Sequence, residues 1–389
     1  MPNQISKSTA EALEAHFVAR QTEMLALTRA LVEAESPSGD QAGNGVVISL
    51  LETAAASIGA VTSVDRIDAQ EFGFHLRISA FAGDMSAAPL VILGHTDTVH
   101  ARGSLAQRPW RAEGNRIYGP GIFDMKANCA VALEALRACD VAGLPIQGPV
   151  ILLLTSDEEN GSRTGRRVVE SETKNARAVL VLEPPASNGR VKTGRKGTGM
   201  FTLETRGRAA HAGLEPEKGA SAVLEMAHQI VRLHAMNDFA SGTSVNAGVV
   251  RGGTLSNVVA AEARAEVDIR FSSRDEGKRI EDQILNLKPF DERVQLIVSG
   301  GINRPPMERT AKVQALYEHA RQVARVLDFD LGETSVGGAS DGNFVGALGV
   351  PVLDGLGIDG DGAHAAHEHI LVDGIATRGA LIAGLLATL

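Results

Sequence analysis

The spacing of apolar positions changes along the chain and marks out its elements. Leu13, Phe17, Met24, Leu27, Leu31 and Val32 recur at roughly helical intervals, which predicts an opening helix with one apolar face. Ser8 and Glu11 have the spacing of a capping box at its start. The breaker cluster Ser36-Pro37-Ser38-Gly39 ends it. A second helix is predicted over 46–56. Phe72, Phe74, Leu76 and Ile78 alternate with other residues, as on a half-exposed strand. Leu90–Leu93, Val150–Leu154 and Val179–Leu182 are apolar throughout, the pattern of parallel strands covered on both faces. Between the first two runs lies an Ala- and Leu-rich helix, Met125–Ala138. This alternation predicts an αβα sandwich around a mixed, mostly parallel central sheet.

The pattern changes after about Gly199. Alternating Phe201, Leu203 and Thr205 predict a strand, followed by a helix over Ala220–Ala235. Strands over Ser244–Val250 and Ala263–Ser272, a helix over Asp275–Leu287 and a strand over Val294–Val298 complete a β-α-β-β-α-β order. That order is a ferredoxin-like split unit. From Pro305 the chain returns to helix, loop, buried strand and an Ala/Leu helix. At 389 residues the chain exceeds one ordinary core. We therefore expect an α/β domain in two parts, 1–198 and 304–389, with an α+β domain inserted over 199–303.

Composition narrows the function classes. Hydrophobic residues make up 44% and charged residues 22%, the balance of a soluble globular chain. A net charge of −9 argues against a nucleic-acid partner. No run of about 18 apolar residues predicts a membrane span, and the first residues lack the apolar stretch of a secretory signal. The two cysteines, Cys129 and Cys139, are ten apart in a helical stretch, which rules out a CxxC pair. They suit a reducing compartment, so a cytoplasmic location is expected.

The chemistry lies just after the buried runs. Leu90–Gly94 leads into His95-Thr96-Asp97, Val150–Ser156 into Asp157-Glu158-Glu159, and Ala178–Leu182 into Glu183. Parallel strands bring such ends to one sheet edge, where α/β folds place active sites. Carboxylates gathered there repel one another unless cations neutralise them. Any one of these residues alone reads first as a solvated loop position. Three strands ending alike weaken that reading. Two Gly-rich segments add further ligand types: Asp124 in Gly119–Lys126, and His364, His367 and His369 in Gly360–His369. Asp124 alone also fits a helix cap, and the histidines also fit a surface loop or a separate site.

GHTDTV (Gly94–Val99), GPGIFDMK (Gly119–Lys126), SDEENGS (Ser156–Ser162), LEP (Leu182–Pro184), GRAAHAG (Gly207–Gly213), DIR (Asp268–Arg270), GGASDGN (Gly337–Asn343) and GAHAAHE (Gly362–Glu368) occur in this order. As a set they resemble the metallopeptidase family of glutamate carboxypeptidase (carboxypeptidase G), acetylornithine deacetylase and succinyl-diaminopimelate desuccinylase. The likeness covers nearly all the chain beyond the first seventy residues. It implies a zinc exopeptidase-like α/β domain whose insertion is a lid and homodimerisation domain.

The resemblance also implies two divalent ions bridged by Asp124, one also held by His95 and Glu183, the other by Glu159 and His364. It implies a cis peptide bond between Asp124 and Met125. Zinc suits such donors, and cobalt or manganese also fit. Asp97 would hold the His95 ring, and Glu158 would be the general base. His364 is preferred because a glutamate, Glu368, follows it after three residues as in the family; His367 and His369 are assigned to the surface. In the insertion, His211 would stabilise an oxyanion, often in the partner subunit's site. Its alternative is a surface histidine. Arg270 and Asn257, with Gly338 and Ser340 on the catalytic side, would hold a substrate carboxylate; Arg304 is a lesser candidate. Arg270 also fits a salt-bridged surface residue. The chain departs from the family at Ala127, where Gly is common, and at Ser340, where Thr is common and a hydroxyl is retained.

The resulting expectation is a di-metal hydrolase cleaving an amide beside a free α-carboxylate, first as a carboxypeptidase releasing a residue such as glutamate. Its small-molecule substrate would be a peptide or an N-acyl amino acid. An N-acyl-amino-acid deacylase is the alternative enzyme. A non-catalytic metal- or peptide-binding protein is the alternative class, opposed by Glu158, a base that metal binding alone does not need.

Overall fold

A computed structural model describes residues 4–81 and 87–389. The chain forms two compact units. One runs from the N-terminus to Gly194 and resumes over Arg309–Val336 and Ser340–Leu389; the other is Arg195–Glu308 with Gly337–Ala339. Among the described residues, ten strands form the two sheets on which the units are built. In chain order they are β1 (Val61–Asp68), β2 (Phe74–Ala80), β3 (Leu90–His95), β4 (Val150–Thr155), β5 (Ala178–Val181), β6 (Gly197–Arg206), β7 (Ser244–Gly252), β8 (Glu262–Phe271), β9 (Gln295–Arg304) and β10 (Val352–Leu353).

The first unit is built on a six-stranded sheet in the order β1-β2-β4-β3-β5-β10. The β1–β2 and β2–β4 pairs are antiparallel, and the β4–β3, β3–β5 and β5–β10 pairs are parallel. The three wholly apolar runs form β3, β4 and β5, and every residue in them is buried. Helix Ala127–Val141 carries Val131, Leu133 and Leu136 into the same core. Cys129 and Cys139 are buried free thiols on that helix.

Several details differ from the sequence reading. The opening helix is two, Lys7–Ala19 and Gln21–Glu33. No glycine or proline marks the break at Arg20. It falls where His16 Nε2 and Arg20 Nε reach the buried Glu134 carboxylate at 2.7 and 3.2 Å. The cap is Ser6, whose Oγ accepts from Thr9 N, so Ser8 does not fill that place. Phe72 sits in the turn before β2. Strand β1 had no apolar alternation strong enough to announce it; most of its residues reach solvent.

The second unit is one antiparallel sheet in the order β7-β8-β6-β9. Helices Ala222–His234 and Arg274–Leu285 bury Met226, Leu233, Ile280 and Ile284 with Leu203, Val267, Ile269 and Phe271 of the sheet. This is the β-α-β-β-α-β order, with β9 running further, to Arg304, than its apolar part suggested. Its first and last segments pair with each other: Arg195 and Met307 exchange two backbone hydrogen bonds of 3.0 Å. Among the described residues no helix is long and apolar enough to cross a membrane.

Gly379, on the last helix, shows how tightly the first core is packed. A Cβ there would come within 2.3–2.6 Å of the fully buried Phe17 ring. Overpacking costs ~1–3 kcal/mol, more than the ~0.5–1 kcal/mol gained by replacing glycine inside a helix. Gly379→Ala should therefore lower stability. Urea denaturation would check this, and an unchanged or raised midpoint would contradict it.

Candidate metal centre

The parallel pairing of β3 sets the site. Its register with β4 ends at His95↔Thr155, and its register with β5 ends at Leu93↔Val181. The loops that follow therefore leave one edge of the sheet together, carrying Asp97, Glu158, Glu159 and Glu183. Asp124 enters from the turn Ile122–Lys126, ahead of helix Ala127–Val141. The Asp124–Met125 bond is cis. Lys126 Nζ, buried, donates to Leu31 O at 2.8 Å and ties this turn to helix Gln21–Glu33. His364 comes from the loop before the short strand His369–Leu371, with a left-handed φ of 64°.

These side chains converge. His95 Nε2 lies 3.0 Å from Asp124 Oδ1 and 3.5 Å from Glu183 Oε1. His364 Nε2 lies 3.4 Å from Asp124 Oδ2 and 3.2 Å from Glu159 Oε2. Asp124 thus turns one oxygen to each imidazole. Potential ligand atoms of His95, Asp124 and Glu159 lie within 4.8 Å of one another, and so do those of His95, Glu158 and Glu183.

The electrostatics show an excess of negative charge. Burial opposes protonation of His95, but Asp124, Asp97 and Glu183 outweigh it and hold the imidazole well above its usual range. Contacts with Asp124 and Glu159 push His364 up to about 10. Burial would raise Asp124, yet the two histidines hold it below the usual carboxylate range. Burial pushes Glu159 upward, and its Oε1 is buried with no hydrogen-bond partner. Five carboxylates against two imidazoles, with an orphaned buried oxygen, fit divalent cations. The nitrogen and oxygen donors suit zinc, and also cobalt or manganese.

Asp97 holds the arrangement from below. Its Oδ1 faces His95 Nδ1 at 3.4 Å, and its two oxygens accept from Glu158 N and Glu159 N at 3.2 and 3.1 Å. Ser38 Oγ also donates to it. In the sequence Ser36-Pro37-Ser38-Gly39 has the pattern of a helix stop. Ser36 Oγ in fact donates to Thr96 O at 2.6 Å, so this segment braces the His95–Asp97 loop. Glu368 was read only as a spacing mark, yet its carboxylate is buried against the Asp124 loop. His367 is exposed. His369 corrects its surface assignment: it is buried beside Tyr118, because it belongs to a strand paired with Arg116–Tyr118.

The remaining candidates fall as follows. In the second unit His211 and Asn257 are exposed, and the Asn257 carbonyl accepts from Ala212 N at 2.9 Å. His211 Nδ1 accepts from Gly213 N at 3.1 Å, which leaves Nε2–H as a donor. Arg270 forms a fork on Asp268, Nε to Oδ1 at 2.8 Å and Nη2 to Oδ2 at 2.9 Å. The Gly338 carbonyl accepts from Arg195 at 3.2 Å, and Arg304 is buried. In the first unit Ser340 is fully buried, and its Oγ donates to Asp354 Oδ2 at 2.6 Å.

Residues 91–388 match the model of peptidase family M20/M25/M40. Carboxypeptidase G2 of Pseudomonas sp. (strain RS-16) is 29% identical over 366 residues, covering 92% of this chain and 87% of that protein. Succinyl-diaminopimelate desuccinylase of Verminephrobacter eiseniae is 30% identical over 317 residues, covering 76% of this chain and 77% of that one. Among solved structures, aminopeptidase PepT of Bacillus cereus matches with a TM-score of 0.75 at 21% identity, covering 95% of this chain and 98% of that one.

Proposed function

The chain belongs to peptidase family M20/M25/M40 and is a metal-dependent hydrolase, and from that premise we propose that it cuts an amide beside a free α-carboxylate, releasing a C-terminal amino acid such as glutamate. The observation that carries the proposal is the meeting of His95, Asp124, Glu159, Glu183 and His364 around Asp124, with Glu158 beside them.

Asp124 would bridge two divalent ions, with His95 and Glu183 on one and Glu159 and His364 on the other. Such ions supply Lewis acidity, which polarises an amide carbonyl and makes water a competent nucleophile near neutral pH. Glu158 takes the water proton and passes it to the leaving amine. Asp97 keeps the His95 ring and the Glu158–Glu159 turn in place. His211, from a second copy of the chain, donates Nε2–H to the oxyanion. The exposed Val223, Leu224 and Val231 of helix Ala222–His234 and the exposed Val249 and Val250 of β7 support a homodimer through the second unit. The two buried free thiols suit a cytoplasmic setting.

The substrate carboxylate goes to Arg270, Asn257 and the backbone at Gly338. A guanidinium has five N–H donors, and Asp268 occupies two of Arg270's. The rest are left for a ligand, with Asp268 fixing the fork. Ser340 shapes its loop through Asp354. A deacylase is the second reading, favoured by the 30% identity to the desuccinylase.

Glu158→Gln should retain both metals by elemental analysis and lose turnover by about 10²–10⁴-fold, because it removes a proton acceptor. Loss of metal would make Glu158 a ligand instead, and a near-normal rate would remove its role. Arg270→Ala should lower kcat/KM for free acids by about 10–10²-fold, as expected from ~1.5–3 kcal/mol for a hydrogen bond to a charged group. Amidated analogues should be much less affected. Assays of N-acyl and peptidyl glutamate, aspartate, alanine, leucine and phenylalanine, each with its amide, would test this and separate peptidase from deacylase. Equal rates for acids and amides would overturn the clamp. Mixing His211→Ala with Glu158→Gln subunits under exchange should restore about a quarter of wild-type activity by statistical pairing in a twofold dimer. No recovery in verified heterodimers would exclude a trans role for His211.

A further inference from the structure

Glu368 lies four residues after His364 and is 3% exposed. Its carboxylate contacts neither imidazole of the centre. Instead it receives the loop that delivers Asp124. Oε1 accepts from Phe123 N and Asp124 N at 2.9 and 3.0 Å, and Oε2 accepts from Gly121 N at 2.9 Å. His100 supplies a fourth donor. Arg108 Nη1 faces His100 Nδ1 at 3.3 Å, which makes Nδ1 the acceptor and leaves the proton on Nε2, donated to Glu368 Oε2.

One carboxylate therefore joins three ligand-bearing loops. His100 lies five residues after His95, Asp124 sits in the second loop, and Glu368 itself belongs to the loop of His364. The backbone adds to the join, since Gly119 N donates to Glu368 O at 3.3 Å. Both loops depend on left-handed backbone. Gly121 has a φ of +70°, and a Cβ there would meet Thr98 Cγ2 at 2.3 Å. Gly362 has a φ of +79°, and a Cβ there would press on the Glu368 backbone at 3.0 Å. His364 holds a left-handed conformation that a non-glycine residue keeps only where its surroundings enforce it, and Glu368 lies at the far end of its loop.

We infer that Glu368, oriented by His100, is the positioning residue that sets the spacing of Asp124 and His364 and hence the affinity of the ion they share. The inference rests on the two-metal reading of the centre. Four donors converge on an acceptor with two oxygens, so the requirement is for a full carboxylate. Glutamine has the same shape but one acceptor oxygen, and its amide would turn N–H groups toward backbone N–H groups. Aspartate is one methylene shorter and falls short of the loop.

The test is cobalt titration of chelator-treated wild-type, Glu368→Gln, Glu368→Asp and His100→Ala proteins, followed by calorimetry and by the visible absorption of bound Co(II). Melting of the metal-free proteins is measured in parallel. Wild type should bind two ions. Glu368→Gln and Glu368→Asp should each weaken at least one site by about 10–100-fold, the range for residues that orient metal ligands, with an altered Co(II) spectrum. His100→Ala, which removes one donor of four, should have the same effect to a smaller degree. A wild type that binds no cobalt overturns the two-metal reading and this inference together. Two ions bound with wild-type affinity and spectrum by both Glu368 variants, with or without a lower melting temperature, would overturn the inference alone, leaving Glu368 as a stabilising residue only.

Discussion

The structure turns on the mutual repulsion of carboxylates held at the ends of buried strands. A side chain on a flexible loop escapes its neighbours by rotating into water. Asp97, Glu158, Glu159 and Glu183 have little such freedom, because strands covered on both faces and their tightly hydrogen-bonded loops fix where each backbone ends, and Asp124 is held in a turn tied down by Glu368 and Lys126. Folding therefore concentrates charge that only cations or protons can offset. The raised positions of His95 and His364 express this demand in protons; divalent ions meet it at lower cost in ligand repulsion.

Around that centre, polar groups act mainly on backbone. Asp97 binds the N–H groups of Glu158 and Glu159, Ser36 binds the Thr96 carbonyl, and Glu368 binds three N–H groups of the Asp124 loop. Each of these side chains is buried or nearly so, where an unpaired polar group costs about 1–3 kcal/mol. The loops are thereby held to one geometry although they lie outside regular structure. Such rigidity is what a bridging carboxylate needs, since its two oxygens must face two different partners at once.

Much of this was legible in the residues. The unbroken apolar runs announced β3, β4 and β5, and the acids and histidine following them announced a shared sheet edge. The β-α-β-β-α-β order was readable because its alternation and helical spacing are both strong. Strand β1 was not legible, because an exposed edge strand carries too few apolar residues to register. The break at Arg20 was not legible because no glycine or proline marks it, and the contact made there is with Glu134, over a hundred residues away. Ser38 and Glu368 were seen without their roles for the same reason: their partners are distant in sequence, and no local pattern records a contact of that kind. His369 was misplaced because a His-rich run looks polar, while strand pairing with Tyr118 buries it.

The paired ends of the second unit have a consequence for how such proteins diversify. Arg195 and Met307 lie side by side in the backbone, joined by two hydrogen bonds, so the long excursion between them begins and finishes at nearly one point. A segment closed in this way asks little of the chain on either side, because loop-closure entropy grows only slowly with the length enclosed. Lineages can lengthen, shorten or replace it as a cassette without re-registering the strands that carry the acids. The excursion and the sheet that carries the acids can then change on separate stretches of the same chain.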